Sequence, residues 1–178
     1  MKKRWFVVYI KENRRHKIVA MLDRRHIQNF CPVDKGPVPA PKHKTRLFSK
    51  PLFPAFLFVK VSEAEAVTIG RTKGVINFVY WMNHPVTIND LEMEYLCFFT
   101  ERFTGIGLIK THVNPHEKGS MVTVPALHMD YDNMLVAVRT PSCKLSLPAL
   151  GYVLTAASSV AQETMPESAF FRRSLVYN

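Results

Sequence analysis

Cys31, Cys97, Cys143 and the pair His112/His116 are the side chains of this sequence whose types could ligate a metal or attack an electrophile. That chemistry needs them together, and in sequence the usual sign is a CxxC or a helical i, i+4 pair. The cysteines lie far apart, so they read as core or surface thiols rather than as a metal knuckle or a disulfide scaffold. The histidines have the i, i+4 spacing, but Pro115 lies between them and argues against the helix that would align them. The acids Glu63, Glu65, Asp90 and Glu92 fall in expected first turns of helices, where capping and the helix dipole account for them. No GxSxG, HExxH, Walker loop or GxGxxG occurs. No enzymatic activity, metal or cofactor is therefore expected.

The remaining chemistry is recognition. On a strand, alternate residues share a face. In residues 5–11, Trp5, Val7, Tyr9 and Lys11 oppose Phe6, Val8 and Ile10. In 56–61, Phe56, Phe58 and Lys60 oppose Leu57, Val59 and Val61. In 75–81, Val75, Asn77, Val79 and Trp81 oppose Ile76, Phe78 and Tyr80. Helices can cover one face of such a sheet and leave the other as an aromatic surface rimmed by charge, the pattern of a partner site. Alternatively, a helix or a second domain covers both faces. A second surface is basic: on the helix expected over 13–28, Asn13, Lys17, Met21, Arg24 and Gln28 line up on one solvent-facing stripe.

Charge agrees with that placement. The chain has 178 residues and a formal net charge of +10. Residues 1–60 hold 15 lysines and arginines against three acids, a net of +12, and residues 61–178 hold 9 against 11, a net of −2. A basic region on a near-neutral body is the footprint of a polyanion-binding surface. The length allows one or two small domains, too little for a large α/β enzyme. The apolar run Trp5–Ile10 is too short for a secretory signal, and Pro51–Val59 too short to span a membrane. A soluble, cytoplasmic protein without a membrane partner is expected.

These residues need elements to hold them. Residues 5–11 read as a strand, Asn13 as the cap of a helix with apolar stripe Ile18, Val19, Leu22 and His26, and 30–33 as a short strand. Residues 34–50, with Pro37, Pro39, Pro41 and then Lys42, Lys44, Arg46 and Lys50, read as a mobile loop or loose hairpin. Residues 52–61 are the strongest strand. Ser62 and Glu65 form a capping box for a helix to Arg71, residues 75–81 make another strand, and Asn89 or Asp90 caps a third helix carrying Leu91, Tyr95, Phe98 and Phe99. The first module is thus β-α-β-loop-β-α-β-α, an α+β domain with helices on a mostly antiparallel sheet. Strands at 121–124, 134–140, 144–147 and 151–156, with a turn near 130–133, then suggest a small β-barrel. The expected division is 1–103, a linker at 104–118, a barrel at 119–162 and a tail at 163–178.

The strings WFVVYIK (5–11), PLFPAFLFV (51–59), TKGVINFVYW (72–81) and PVTIND (85–90), in this order over about residues 4–103, resemble the NusG family of transcription elongation factors. Their wording is similar to the specialised paralogues, RfaH and the Bacteroidetes UpxY antiterminators of polysaccharide operons. The resemblance implies a NusG N-terminal-like domain with a mostly antiparallel four-stranded sheet, followed by a degenerate KOW/SH3-like barrel in which HMDYDN (128–133) replaces the motif's paired glycines. It also implies a hydrophobic pocket for the β′ clamp helices of RNA polymerase at Tyr9, Phe56, Phe58 and Trp81, with Phe53 and Pro54 shaping the start of the strand. Contact with the non-template DNA strand is implied at Lys11, Lys17, Arg24, Thr72 and Lys73. A gate-loop contact is implied near Ala66–Thr68, and Met21 stands where the paralogue has a polar DNA reader. An operon-specialised antitermination factor follows from the resemblance. An RNA- or ribosome-binding module using the barrel and the basic loop 42–50 is the other reading. Whether the C-terminal part masks the aromatic face stays open.

Overall fold

The structure, a computed structural model, describes residues 2–35, 50–124 and 142–157. Its strands are β1 (Arg4–Ile10), β2 (Asn29–Phe30), β3 (Val33–Asp34), β4 (Lys50–Pro51), β5 (Phe56–Val61), β6 (Val75–Phe78), β7 (Tyr80–Trp81), β8 (His84–Pro85), β9 (Thr87–Ile88), β10 (Gly107–Lys110), β11 (Ser120–Val124), β12 (Ser142–Leu147) and β13 (Tyr152–Ala157). Three helices intervene: α1 (Arg15–Arg24), α2 (Glu63–Gly70) and α3 (Asp90–Arg102).

The N-terminal sheet is built around β1. One edge of β1 pairs with β5 from Arg4↔Val61 to Tyr9↔Phe56, and β2 extends the sheet beyond β5. The other edge pairs with β6 near Ile10 and with β9 at Trp5 and Phe6. All these pairs are antiparallel, and the short β9 makes the sheet five-stranded where four were expected. Side-chain alternation then sorts the residues into two cores. Phe6, Val8, Ile10, Leu57, Val59 and Val61 pack under Ile18 and Leu22 of α1 and Ile69 of α2. Trp5, Val7 and Phe58 face the other way, against Met93, Leu96 and Phe99 of α3 and against the C-terminal strands. Full burial of one such side chain stabilises by roughly 1.5–3 kcal/mol, so both faces contribute to the fold.

Helix ends follow the capping logic in two cases of three. Ser62 and Glu65 form a reciprocal capping box at α2, and Asn89 and Glu92 form another at α3. The first helix departs from expectation. Asn13 sits in a 3-10 turn, Glu12–Arg14, and the residue flanking α1 is Arg14, which makes no side-chain cap. That helix also stops early, because His26 adopts a φ of +53° that no helix continues, leaving His26 exposed rather than on the apolar stripe. The expected strand at 30–33 is two short strands split at Cys31–Pro32, and Leu52–Ala55 form a turn before β5. In α3 the buried apolar positions are Met93, Leu96, Cys97 and Phe99 while Leu91 is exposed, since the helix packs on a sheet and on the C-terminal strands.

The C-terminal strands form a four-stranded antiparallel sheet in the order β10-β13-β12-β11. Strand β10 lies within the stretch expected as a linker; all four of its residues are exposed, which is why no periodicity announced it. Gly151, with a φ of +66°, turns the chain into β13 where an added Cβ would meet Val113 Cγ2 at 2.7 Å and the Thr111 carbonyl at 2.9 Å. The expected strand at 134–140, the turn at 130–133, nearly all of the basic loop and the tail lie outside the described residues.

Candidate partner-binding face and basic stripe

The aromatic face is set by register. Antiparallel pairing puts Tyr9 opposite Phe56 and Val7 opposite Phe58. Tyr9 and Phe56 have ring centroids 5.7 Å apart, Phe56 stacks on Phe53 at 6.0 Å, and Phe53 meets Phe58 edge-on at 6.2 Å. These separations suit offset and T-shaped aromatic contacts. The turn before β5 holds Phe53 in place: the Phe56 N–H donates to the Phe53 carbonyl (3.1 Å), the Ile10 N–H to Ala55 (2.8 Å), and the Arg15 guanidinium to the Pro54 carbonyl. Trp81 arrives on a separate hairpin, β7–β8, whose turn residues Met82 and Asn83 both have positive φ, the geometry of a tight two-residue turn.

Of the residues expected to bind a partner, the structure brings Tyr9, Phe53, Phe56 and Phe58 into one aromatic row and sets Trp81 in the same core cluster. Their exposure differs sharply. Tyr9 is 42% exposed and Pro54 is exposed, Phe56 and Trp81 are half-buried, and Phe53 and Phe58 are 4% and 0% exposed. The C-terminal sheet accounts for much of that burial. Tyr152 contacts Phe53 edge-on at 5.3 Å, His116 contacts Trp81 at 5.8 Å, and Leu145, Leu147, Leu150 and Leu154 share the core cluster with Phe53 and Phe58. The sequence weighed His116 only as a metal ligand and did not mark Tyr152, because each of these contacts joins residues far apart in the chain.

The polar fastening of that cover is also visible. Glu92 is 4% exposed. Its Oε2 accepts the Asn89 N–H of the capping box (3.2 Å), and its Oε1 accepts the Gly119 N–H, just before β11. Asp34 similarly accepts from the Gly105 and Ile106 N–H groups (3.0 and 3.2 Å), tying the chain after α3 to the edge of the N-terminal domain.

The basic surface is carried by α1. Burial of Ile18 and Leu22 rolls Lys17 and Arg24 outward, seven residues and about 10 Å apart along the axis. Lys11 joins them through the turn after α2, where its N–H donates to the Gly74 carbonyl (2.9 Å) and Gly74 packs so tightly on Arg14 that a Cβ would lie 2.8 Å from Arg14 Cβ. Lys73, in the same turn, is exposed. Among the described residues no ion pair joins Lys11, Lys17, Arg24 or Lys73 to a carboxylate. Thr72 differs: it is half-buried, and its hydroxyl donates to the Thr68 carbonyl at 3.4 Å, closing the end of α2. Met21 is packed against the α1-side core, and of Ala66–Thr68 the outward residues are Val67 and Thr68.

The thiols are chemically quiet. Burial pushes Cys97 up to about 12, aided by Glu101 and Glu94. Burial also raises Cys31, against the pull of Arg15, and raises Cys143. Among the described residues no three histidines, cysteines or acids gather where a metal could bind. None of the described helices is long and apolar enough to cross a membrane.

Residues 3–97 match the sequence profile of the family described as NusG, transcription termination factor nusG. Among curated proteins none matches. A solved structure titled "Domain interaction in Thermotoga maritima NusG" is 16% identical, with the match covering 89% of this chain and 94% of that one, at a TM-score of 0.47. A likeness that slight carries no argument here; the family rests on the sequence match.

Proposed function

The chain belongs to the NusG family of transcription factors, non-enzymatic proteins that bind RNA polymerase, and on that premise we propose that it is an operon-specialised elongation or antitermination factor. Its aromatic row seats the β′ clamp helices of the polymerase, with Tyr9, Pro54, Phe56 and Trp81 at the surface and the buried Phe53 and Phe58 backing them, and holds the clamp closed against pausing. Helix α1 and the turn after α2 grip the non-template DNA strand with Lys11, Lys17, Arg24 and Lys73. Thr72 shapes that turn. The target is a polysaccharide operon, as for the UpxY group, and the site of action is the cytoplasm.

The observation that carries this reading is the continuous aromatic row from Tyr9 through Phe56 to Phe53, apolar and partly open beside an exposed basic helix. A structural core would bury Tyr9; a face that must meet a partner keeps it at the surface. The division of labour follows from chemistry: aromatics supply sequence-independent affinity for a protein, and lysines and arginines supply salt-sensitive attraction to phosphates. The test is retention of RNA polymerase from the native host on the immobilised protein. Phe56→Ala combined with Trp81→Ala should abolish retention while far-UV circular dichroism is unchanged. Retention equal to wild type would overturn the assignment of this face.

A further inference from the structure

We infer that Arg15 is a positioning residue for the aromatic face: its guanidinium holds the turn Leu52–Ala55, so that Phe53 and Pro54 are set before a partner arrives. The inference rests on the proposed use of that face and adds the residue that prepares it.

Arg15 stands where the local rules of a helix argue against it. It opens α1, at the end where the helix dipole is positive and a cation is unfavourable. The first turn of α1 holds no acid, and Arg14 before it makes no side-chain cap. Of the three lysines and arginines in α1, Lys17 and Arg24 are exposed while Arg15 is half-buried. Its Nε is buried without a hydrogen-bond partner among the described residues, which is a further cost. Residues that break local preferences in this way concentrate at functional sites.

What Arg15 reaches is the turn before β5. The Phe53 carbonyl accepts from the Phe56 N–H (3.1 Å), the Ala55 carbonyl from the Ile10 N–H of β1 (2.8 Å), and the Pro54 carbonyl from the Arg15 guanidinium. Of these three, only the Pro54 carbonyl takes its hydrogen from a side chain, and Pro54 is the exposed residue of the turn. The Leu52 N–H fastens the start of the turn to the Pro32 carbonyl (2.9 Å). Arg15 lies close enough to neighbouring Cys31 to pull its thiol down against the effect of burial. A turn fixed in advance need not be ordered when the partner binds, and that is how preorganisation adds affinity. Lys17 lies two residues further along α1, so the basic stripe and the edge of the aromatic row share one rigid element.

Arg15→Met tests this by keeping an apolar stem and removing the guanidinium. Amide hydrogen exchange, read by NMR without any polymerase, should speed up at Phe56 by on the order of tenfold. It should not change at Ala66, whose N–H donates to the Ser62 carbonyl at the cap of α2 (2.9 Å). Retention of RNA polymerase should fall by a similar factor. Arg15→Lys, which still offers a donor to Pro54, should recover most of both losses; a variant no better than Arg15→Met would rule out the hydrogen bond as their cause. The salt slope of single-stranded DNA binding should stay as in wild type, and a slope smaller by about 0.7 would make Arg15 a phosphate contact instead. Unchanged exchange at Phe56 in Arg15→Met would overturn the positioning role. Equal acceleration at Phe56 and Ala66, the mark of a global loss of stability, would overturn it as well. Faster exchange at Phe56 with polymerase retention unchanged would remove the link to the partner. Absence of polymerase retention by every form, wild type included, would refute the proposed function, and exchange at Phe56 against Ala66 would then decide the role of Arg15 alone.

Discussion

Phe56 and Phe58 lie two residues apart on the same face of β5, yet replacing each with alanine should have opposite consequences. Phe58 is 0% exposed, opposite Val7 on one side and Phe30 on the other, with Phe53 against its ring. Removing a fully enclosed phenylalanine costs the transfer free energy plus the cavity, ~3–5 kcal/mol. For a domain stable by about 5–15 kcal/mol, that is a large share of the total. Phe56 is half-buried beside exposed Tyr9, so about half of the ~1.5–3 kcal/mol for full burial is at stake, roughly 1 kcal/mol. Urea unfolding followed by circular dichroism measures both. With a slope of about 2 kcal/mol/M, Phe58→Ala should lower the midpoint by on the order of 2 M and Phe56→Ala by about 0.5 M. Partner binding should follow the reverse order once each folded protein is assayed well below its midpoint. Equal losses of stability would refute the division of this strand into a core position and a binding position.

Replacing Lys17 and Arg24 together with alanine should weaken single-stranded DNA binding and flatten its logarithmic salt dependence by about 1.4, two phosphate contacts at ~0.7 each; fluorescence anisotropy at several salt concentrations reads the slope. Glu65 is lowered to about 2 from an ordinary value of 4.5, first by the Ser62 backbone N–H and then by Lys3 and the Ser62 hydroxyl. Its depressed value means a stabilising contribution present above pH 4.5 and lost as pH falls toward 2, so Glu65→Gln should flatten the acid limb of a stability-against-pH curve within that window. Cys97, pushed up to about 12, should resist iodoacetamide at pH 8 in the native protein and react once urea unfolds it, as read by mass spectrometry. Gly151→Ala should destabilise the C-terminal sheet by roughly 1–2 kcal/mol from the left-handed backbone alone, with the 2.7 Å approach to Val113 added; hydrogen exchange in β13 would register it.

Strand alternation made the two faces of the N-terminal sheet legible, because β1 and β5 are central strands whose period-two pattern is imposed by burial on both sides. The capping box at Ser62/Glu65 was legible because its donors and acceptors are three residues apart; at α3 the sequence left the cap between Asn89 and Asp90, and the structure gives it to Asn89 in a second box with Glu92. The same Glu92 shows where local reading stops: its second oxygen serves Gly119, 27 residues on, and nothing in the neighbourhood of either residue encodes that. Helix α3 defeated a single-stripe reading because it has neighbours on two sides, which buries Met93 and Leu96 and leaves Leu91 outside. The α1 stripe was legible for Lys17 and Arg24, and Met21 on the same stripe turned inward because its thioether can fill the gap beside the core.

The two cores close at different moments in the life of the chain. The core under α1 and α2 uses nothing beyond Ile69, with Val75 and Phe78 at its margin, whereas the one on the aromatic side draws residues as late as Ala156. At a synthesis rate of about 5–20 residues per second, the roughly 90 residues between Ile69 and Ala156 take on the order of 5–20 s to appear. For most of that interval α3 alone covers the aromatic side of the newborn N-terminal sheet, and Phe53 lacks the Tyr152 ring it meets in the finished fold. A newly made molecule thus carries this face partly open, and the face is complete only when the last described strand leaves the ribosome.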